Sequence, residues 1–187
     1  MFEWLRRPVS RLVILVLALS GLLASSAYAY NNYDPECWWS NPSGQYLYVN
    51  WKWGPNINIS GGWADDYRLA STNWSNAGTK ARMGYNSSAQ DTADTYYTIE
   101  NRPAYTEYWC NFNYTMADAH AYGNLYAFSD SGTPDSYRRF AAAQEMGHTL
   151  GLGHSSDSGA VMYKFVNTGL YYPSSDDTAG LNTMYPW

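Results

Sequence analysis

The sequence predicts a single α+β domain, and three observations carry that prediction. An aromatic, β-branched run at 46–53 reads as a strand, an apolar stripe at 63–77 recurs with helical spacing, and the glycine- and histidine-containing stretch 144–154 reads as the end of a second helix. Short extended segments lie between them, so the order is strand, helix, several strands, helix. No internal repeat or second domain is visible. With 187 residues, 45% of them hydrophobic, the chain is long enough to bury one core.

The first residues stand apart from that domain. Arg6, Arg7 and Arg11 face only Glu3 in charge, and 12–24 is an apolar run. A membrane span needs roughly 20 apolar residues, so this run is short for a stable anchor and suits a signal peptide. Ala27-Tyr28-Ala29 supplies a small-x-small cleavage pattern, which predicts removal of 1–29 and a secreted, extracellular domain at 30–187.

In that domain, 30–44 is rich in Asn, Pro, Ser and Trp and reads as an extended lead-in. Residues 46–53 form the first strand, stopped by Gly54-Pro55, with a short extended piece at 56–59. Trp63, Tyr67, Ala70 and Trp74 recur at spacings of four, three and four, the one-sided stripe of an amphipathic helix, and Gly78 ends it. Strands are expected at 81–85 and 96–99 with a polar surface loop at 86–95, then at 105–113, 117–122 and 125–128. Asp135 is the expected N-cap of a helix at 136–150. Ser175 or Asp176 is the expected cap of a closing helix that runs through Leu181.

Three of the 11 basic and one of the 16 acidic residues fall in 1–29, so the domain carries eight basic and fifteen acidic residues, net −7. That balance excludes nucleic acid as a partner class. Charged residues make up only 14% of the chain against 19 Tyr and 9 Trp, a composition that fits a secreted protein and suits peptide or carbohydrate contact. Cys37 and Cys110 in an oxidising compartment most simply form one disulfide. The rival reading makes Cys37, in Pro35-Glu36-Cys37, an inhibitory thiolate.

The stretch Gln144-Glu145-Met146-Gly147-His148-Thr149-Leu150-Gly151-Leu152-Gly153-His154 carries the chemistry. Positions 144 and 148 are about one helical turn apart and project from one face, while Gly151 and Gly153 can turn the chain so that His154 returns to the same point. Zinc hydrolases need three protein ligands, an open position for water and a carboxylate to take its proton. Gln144, His148 and His154 are the candidate ligands of one zinc ion. Glu145, turned about 100° around the helix from its neighbours, is the candidate general base.

This spacing resembles the metzincin signature H-E-x-x-H-x-x-G-x-x-H with Gln144 in the place of its first His. Ala160-Val161-Met162-Tyr163 resembles that family's Met-turn, with Met162 beneath the metal. Ser155 and Asp176-Asp177-x-x-Gly180-Leu181 make the likeness closest to the matrixins. The resemblance implies a metzincin-like catalytic domain with a mixed twisted sheet, an active-site helix and a C-terminal helix. It implies a monomeric zinc metalloendopeptidase acting on peptide or protein substrates, and leaves a structural calcium open. It also implies that the strand holding Ala119-His120-Ala121 is the sheet edge along the cleft. The companion ligands of the family's structural zinc are absent, so His120 is expected to be an ordinary surface or core histidine, with assistance to the catalytic metal as the smaller alternative.

Gln144 divides the functional readings. An amide oxygen reaches about as far as an imidazole nitrogen and is neutral, yet zinc prefers imidazole and thiolate. One outcome is a working peptidase with a weaker metal site. The others are a metzincin-fold binding protein without tight zinc, or an aromatic-rich carbohydrate-binding or adhesion module.

Overall fold

The computed structural model describes residues 37–41, 44–100, 102–129, 133–167 and 169–186. The expected signal segment at 1–29 lies outside them. Five strands, β1 (Leu47–Trp53), β2 (Ala81–Tyr85), β3 (Asp91–Tyr96), β4 (Ala104–Cys110) and β5 (Met116–Asn124), form one sheet in the order β2-β1-β3-β5-β4. Neighbours among β2, β1, β3 and β5 run parallel, and β4 closes the edge antiparallel to β5. The helices are α1 (Trp63–Ser75), α2 (Asp135–Thr149) and α3 (Ser175–Met184). The α+β class, the mixed sheet and the C-terminal helix are as expected.

The apolar stripe of α1 does what its spacing dictates: Trp63, Tyr67, Ala70 and Trp74 are all buried. They share one core cluster with Ala141, Ala142, Ala143 and Met146 of α2 and the inward positions of the sheet. Ala93 of β3 and Ala121 of β5 share that cluster, and their small side chains leave room for α2 to lie close to the strands. Across the helix pair, the Trp74 indole Nε1 donates to the Ala143 carbonyl at 2.8 Å. Each fully buried large apolar side chain contributes about 1.5–3 kcal/mol, so this shared layer fixes the position of α2 over the sheet.

Several expected elements move. The strand expected at 96–99 is β3 at Asp91–Tyr96, in the stretch read as a loop. Its inward positions include buried carboxylates: Asp94 accepts from the Asn56 backbone and side-chain amides, both at 2.9 Å, and Asp91 accepts from the Ala119 amide at 2.9 Å. Local hydrogen bonds there replace the apolar alternation that marks most strands. Tyr126–Phe128 is a 3-10 turn rather than a strand. Pro134, not Asp135, is the N-cap of α2, and Ser174 caps α3, which runs on to Met184. The edge strands are β2 and β4, not the strand carrying His120, because β5 is paired on both sides.

The lead-in is tied down. Cys37 is disulfide-bonded to Cys110 with Cα atoms 5.9 Å apart, which leaves no thiolate for the latency reading. Trp38 pairs with Thr115, the Trp39 indole donates to the Thr149 carbonyl at 2.7 Å, and Trp39 N–H donates to the Tyr185 hydroxyl at 3.2 Å. Among the described residues no helix is long and apolar enough to cross a membrane.

Candidate metal centre

Helix α2 presents Gln144, Glu145 and His148 at its C-terminal end, and Gly151 terminates it with φ +93, a left-handed conformation that favours glycine. The chain then doubles back, with Leu152 N–H on the Gly147 carbonyl at 3.2 Å and Ser155 N–H on the Met162 carbonyl at 2.7 Å. That reversal sets the imidazoles of His148 and His154 4.9 Å apart, centroid to centroid, with planes at 81°. The two histidines, Gln144 and Glu145 line one cavity of ≈ 510 Å³ between the β4 edge and the segment after Met162.

His148 is buried, and burial, with a smaller contribution from His154, pushes its pKa down to about 3, so the ring is neutral at ordinary pH. Its Nδ1 lies 2.7 Å from the Leu152 carbonyl. A carbonyl can only accept, so Nδ1 carries the proton and Nε2 carries the lone pair, the tautomer a metal ligand needs. Burial and the Lys164 charge also lower the pKa of His154.

Gln144 spans from α2 to the turn below it. Its Nε2 donates to the Tyr163 carbonyl at 2.6 Å and more weakly to the Val161 carbonyl at 3.4 Å. The reversed amide would set oxygen against oxygen, so Oε1 is the end that the turn does not engage. Among the described residues no group of three or more His, Cys, Asp or Glu is placed to hold a metal ion, so a three-ligand site on the two histidines would need a donor of another type, which the Gln144 amide on the same cavity could supply. Two neutral imidazoles and an amide oxygen fit a divalent ion, with less of the nitrogen character that zinc prefers than three imidazoles would give.

Glu145 is 5% exposed, and burial raises its pKa to about 7 against the lowering effects of the Thr106 hydrogen bond and Arg102. Thr106 of β4 donates its hydroxyl to Glu145 Oε2 at 2.7 Å, so the edge strand aims the carboxylate. Nothing in the sequence singled out Thr106. Met162 is fully buried, and a Cβ placed on Gly147 would overlap its sulfur, so the turn carrying Met162 packs against the one bare position of α2.

The first turn of α3 holds the other side. Asp177 is fully buried and accepts from the backbone amides of Val161 at 2.9 Å, Met162 at 3.0 Å and Ser174 at 2.7 Å. Asp176 accepts from the Ser155 hydroxyl at 2.6 Å, next to His154. His120 lies elsewhere, on β5, with Nδ1 2.7 Å from the Thr92 hydroxyl and its ring 5.1 Å from Trp109, and it does not line the cavity.

The matrixin family model matches residues 77–186. An interstitial collagenase of Sus scrofa is 49% identical over 45 residues, 24% of this chain and 10% of that protein. A matrilysin of Homo sapiens is 45% identical over 49 residues, 25% of this chain and 18% of that protein. A putative matrix metalloproteinase of Spodoptera frugiperda ascovirus 1a is 40% identical over 63 residues, 31% of this chain and 16% of that protein. This chain therefore matches less than a fifth of the length of each of these relatives. Among solved structures, a chain of "GM1 bound form of the ECX AB5 holotoxin" superimposes with a TM-score of 0.50 at 16% identity, covering 73% of this chain and 79% of that one, a likeness of fold alone.

Proposed function

This chain belongs to the matrixin family of metallopeptidases, and we propose that it is a secreted, monomeric zinc endopeptidase that cleaves peptide or protein substrates. Gln144, His148 and His154 hold the ion, Glu145 is the general base, Met162 forms the floor, and the signal peptide is removed after Ala29. When bound, zinc would supply Lewis acidity toward water and the scissile carbonyl.

The chain's own residues account for the rest of the chemistry. The exposed edge of β4 offers backbone groups along which an extended peptide can add as another strand. Glu145, held by Thr106 at the cavity wall, takes a proton from the attacking water and returns it to the leaving amine. A carboxyl with its pKa raised to about 7 is suited to both transfers near neutral pH. The neutral tautomer of His148 keeps Nε2 as a donor to a cation. The observation that carries the proposal is the Gln144 amide: its nitrogen is taken by Tyr163, which leaves oxygen as the coordinating end on the cavity that both histidines line.

The test is zinc stoichiometry and peptide cleavage for the native chain, Gln144→His and Glu145→Ala. The native chain is expected to bind one zinc and cleave. Glu145→Ala should retain zinc and lose at least about 100-fold in rate, while Gln144→His should tighten zinc binding about 10- to 100-fold. A native chain with neither metal nor cleavage, both gained in Gln144→His, would make this an inactive metzincin-fold binding protein.

A further inference from the structure

The domain at 30–187 is acidic, but its cleft is not. Of its eight basic residues, Arg68 pairs with Asp65 at 2.8 Å, and Arg138 and Arg139 both pair with Asp66, at 2.6 and 3.4 Å. Arg102 and Lys164 line the candidate catalytic cavity from opposite walls, one leading into β4 and the other two residues past Met162. Both are exposed, and among the described residues neither has an ion-pair partner within 4 Å. Each charged group lies over a ring, the Arg102 Cζ at 5.7 Å from the Tyr105 centroid and the Lys164 Nζ at 5.0 Å from that of Phe165. Among the described residues, the single carboxylate on the cavity wall is Glu145, buried and bound by Thr106.

A cleft lined by one sign of charge with low-dielectric walls concentrates its field on what enters. Here that field is positive on a chain of net −7 at 30–187, and Tyr137, Phe140 and Val166 supply the low-dielectric walls. The two cations are not equivalent. Arg102 also borders a neighbouring cavity together with Glu100 and Glu107, which offset its charge on that side. Among the described residues, Lys164 shares the cavity wall with no acidic residue but Glu145, which the Thr106 hydroxyl engages.

We propose that Lys164 makes this cleft selective for peptides carrying a carboxylate side chain, Asp or Glu, against the wall formed after Met162. This rests on the peptidase reading only for what happens after binding. An extended substrate seated on β4 crosses the cavity toward that wall, where the ammonium meets the carboxylate. Toward Glu100 and Glu107 the substrate instead tolerates neutral or basic side chains.

The test is fluorescence anisotropy with three labelled peptides identical except for Glu, Gln or Lys at the central position, with cleavage followed by mass spectrometry in the same samples. The Glu peptide should bind roughly two- to fivefold tighter than the Gln peptide, the range of a partly exposed ion pair, and the margin should shrink as salt rises to about 0.5 M. Lys164→Gln should erase that margin and Lys164→Glu should invert it in favour of the Lys peptide. Lys52→Gln, on β1 and outside the cavity, should leave it unchanged. No binding, equal affinities, or a preference that survives Lys164→Gln overturns the proposal. Selective binding without cleavage overturns the peptidase reading and keeps this one, while cleavage without acidic preference does the reverse.

Discussion

Gly147 is in the interior of α2, where glycine costs about 0.8–1 kcal/mol relative to alanine, and it needs a reason to be there. The reason is steric: any Cβ would overlap the Met162 sulfur and the Trp74 ring. Gly147→Ala should therefore destabilise the fold by about 1–3 kcal/mol despite its better helix propensity, and should lower metal affinity by displacing the turn beneath His148. Urea melts and zinc titration check this, and an alanine variant as stable as the parent would remove the steric account. Asp91 makes a second test at this scale. Burial, opposed by the Ala119 amide and assisted by the Asp118 charge, raises its pKa from 3.8 to about 6. A carboxyl whose folded pKa lies above its unfolded value favours the fold while protonated, so its contribution is present below about pH 4 and lost as pH rises through 6. Asp91→Asn keeps an acceptor for Ala119 and removes the titration. Relative to that variant, the native chain should lose about 1–2 kcal/mol between pH 4 and 7, and parallel stability curves would refute the assignment.

At the scale of elements, α3 does more than close the chain. Ser174 accepts from the amides of Asp176 and Asp177 while Asp177 accepts from Ser174, a reciprocal cap that fixes the first turn. The same turn then directs its carboxylates to the site, Asp177 to the amides of Val161 and Met162 and Asp176 to Ser155. Asp177→Asn removes one of the two acceptor oxygens from three buried donors. It should destabilise the chain by about 1–3 kcal/mol and weaken zinc more than does Thr178→Ala, which leaves those three amides untouched, as read by calorimetry at fixed pH. The helices were legible in the sequence because each announces itself locally, through a stripe, a cap or a breaking glycine. β3 was not, since Asp91, Asp94 and Thr95 are buried through hydrogen bonds that no periodicity reveals. The edge strand was misplaced for a related reason: order along the chain does not say that β5 inserts between β3 and β4. Gln144, Glu145, His148, His154 and Met162 were legible as a group because most come from one helix and one following turn. Thr106 was not, because its partner Glu145 lies 39 residues away.

Across the whole molecule, the two halves of the cleft are joined by covalent as well as packing constraints. Cys37 and Cys110 are 73 residues apart in sequence, so their bond ties the lead-in to the far end of the edge strand on which a substrate would lie. The lead-in in turn reaches the C-terminal end of α2, through the Trp39 indole on the Thr149 carbonyl and through Tyr185, whose hydroxyl donates to the Leu150 carbonyl at 2.8 Å. Closing a loop of this length removes about 4 kcal/mol worth of unfolded-state freedom in the chain-entropy account, and measured losses on removing native disulfides run about 2–5 kcal/mol. The double variant Cys37→Ser, Cys110→Ser should lose stability in that range, and reduction of the native chain should bring it to the same value. Because the tie ends on β4, chymotrypsin should also cut the reduced chain faster after Trp109, on that strand, than after Tyr85 at the end of β2, both of them exposed. A double variant that melts with the oxidised native chain would mean that Trp38, Trp39 and Tyr185 hold the lead-in without the bond. A loss of stability with unchanged cutting after Trp109 would mean that the disulfide acts on the unfolded chain alone and does not stiffen the cleft edge.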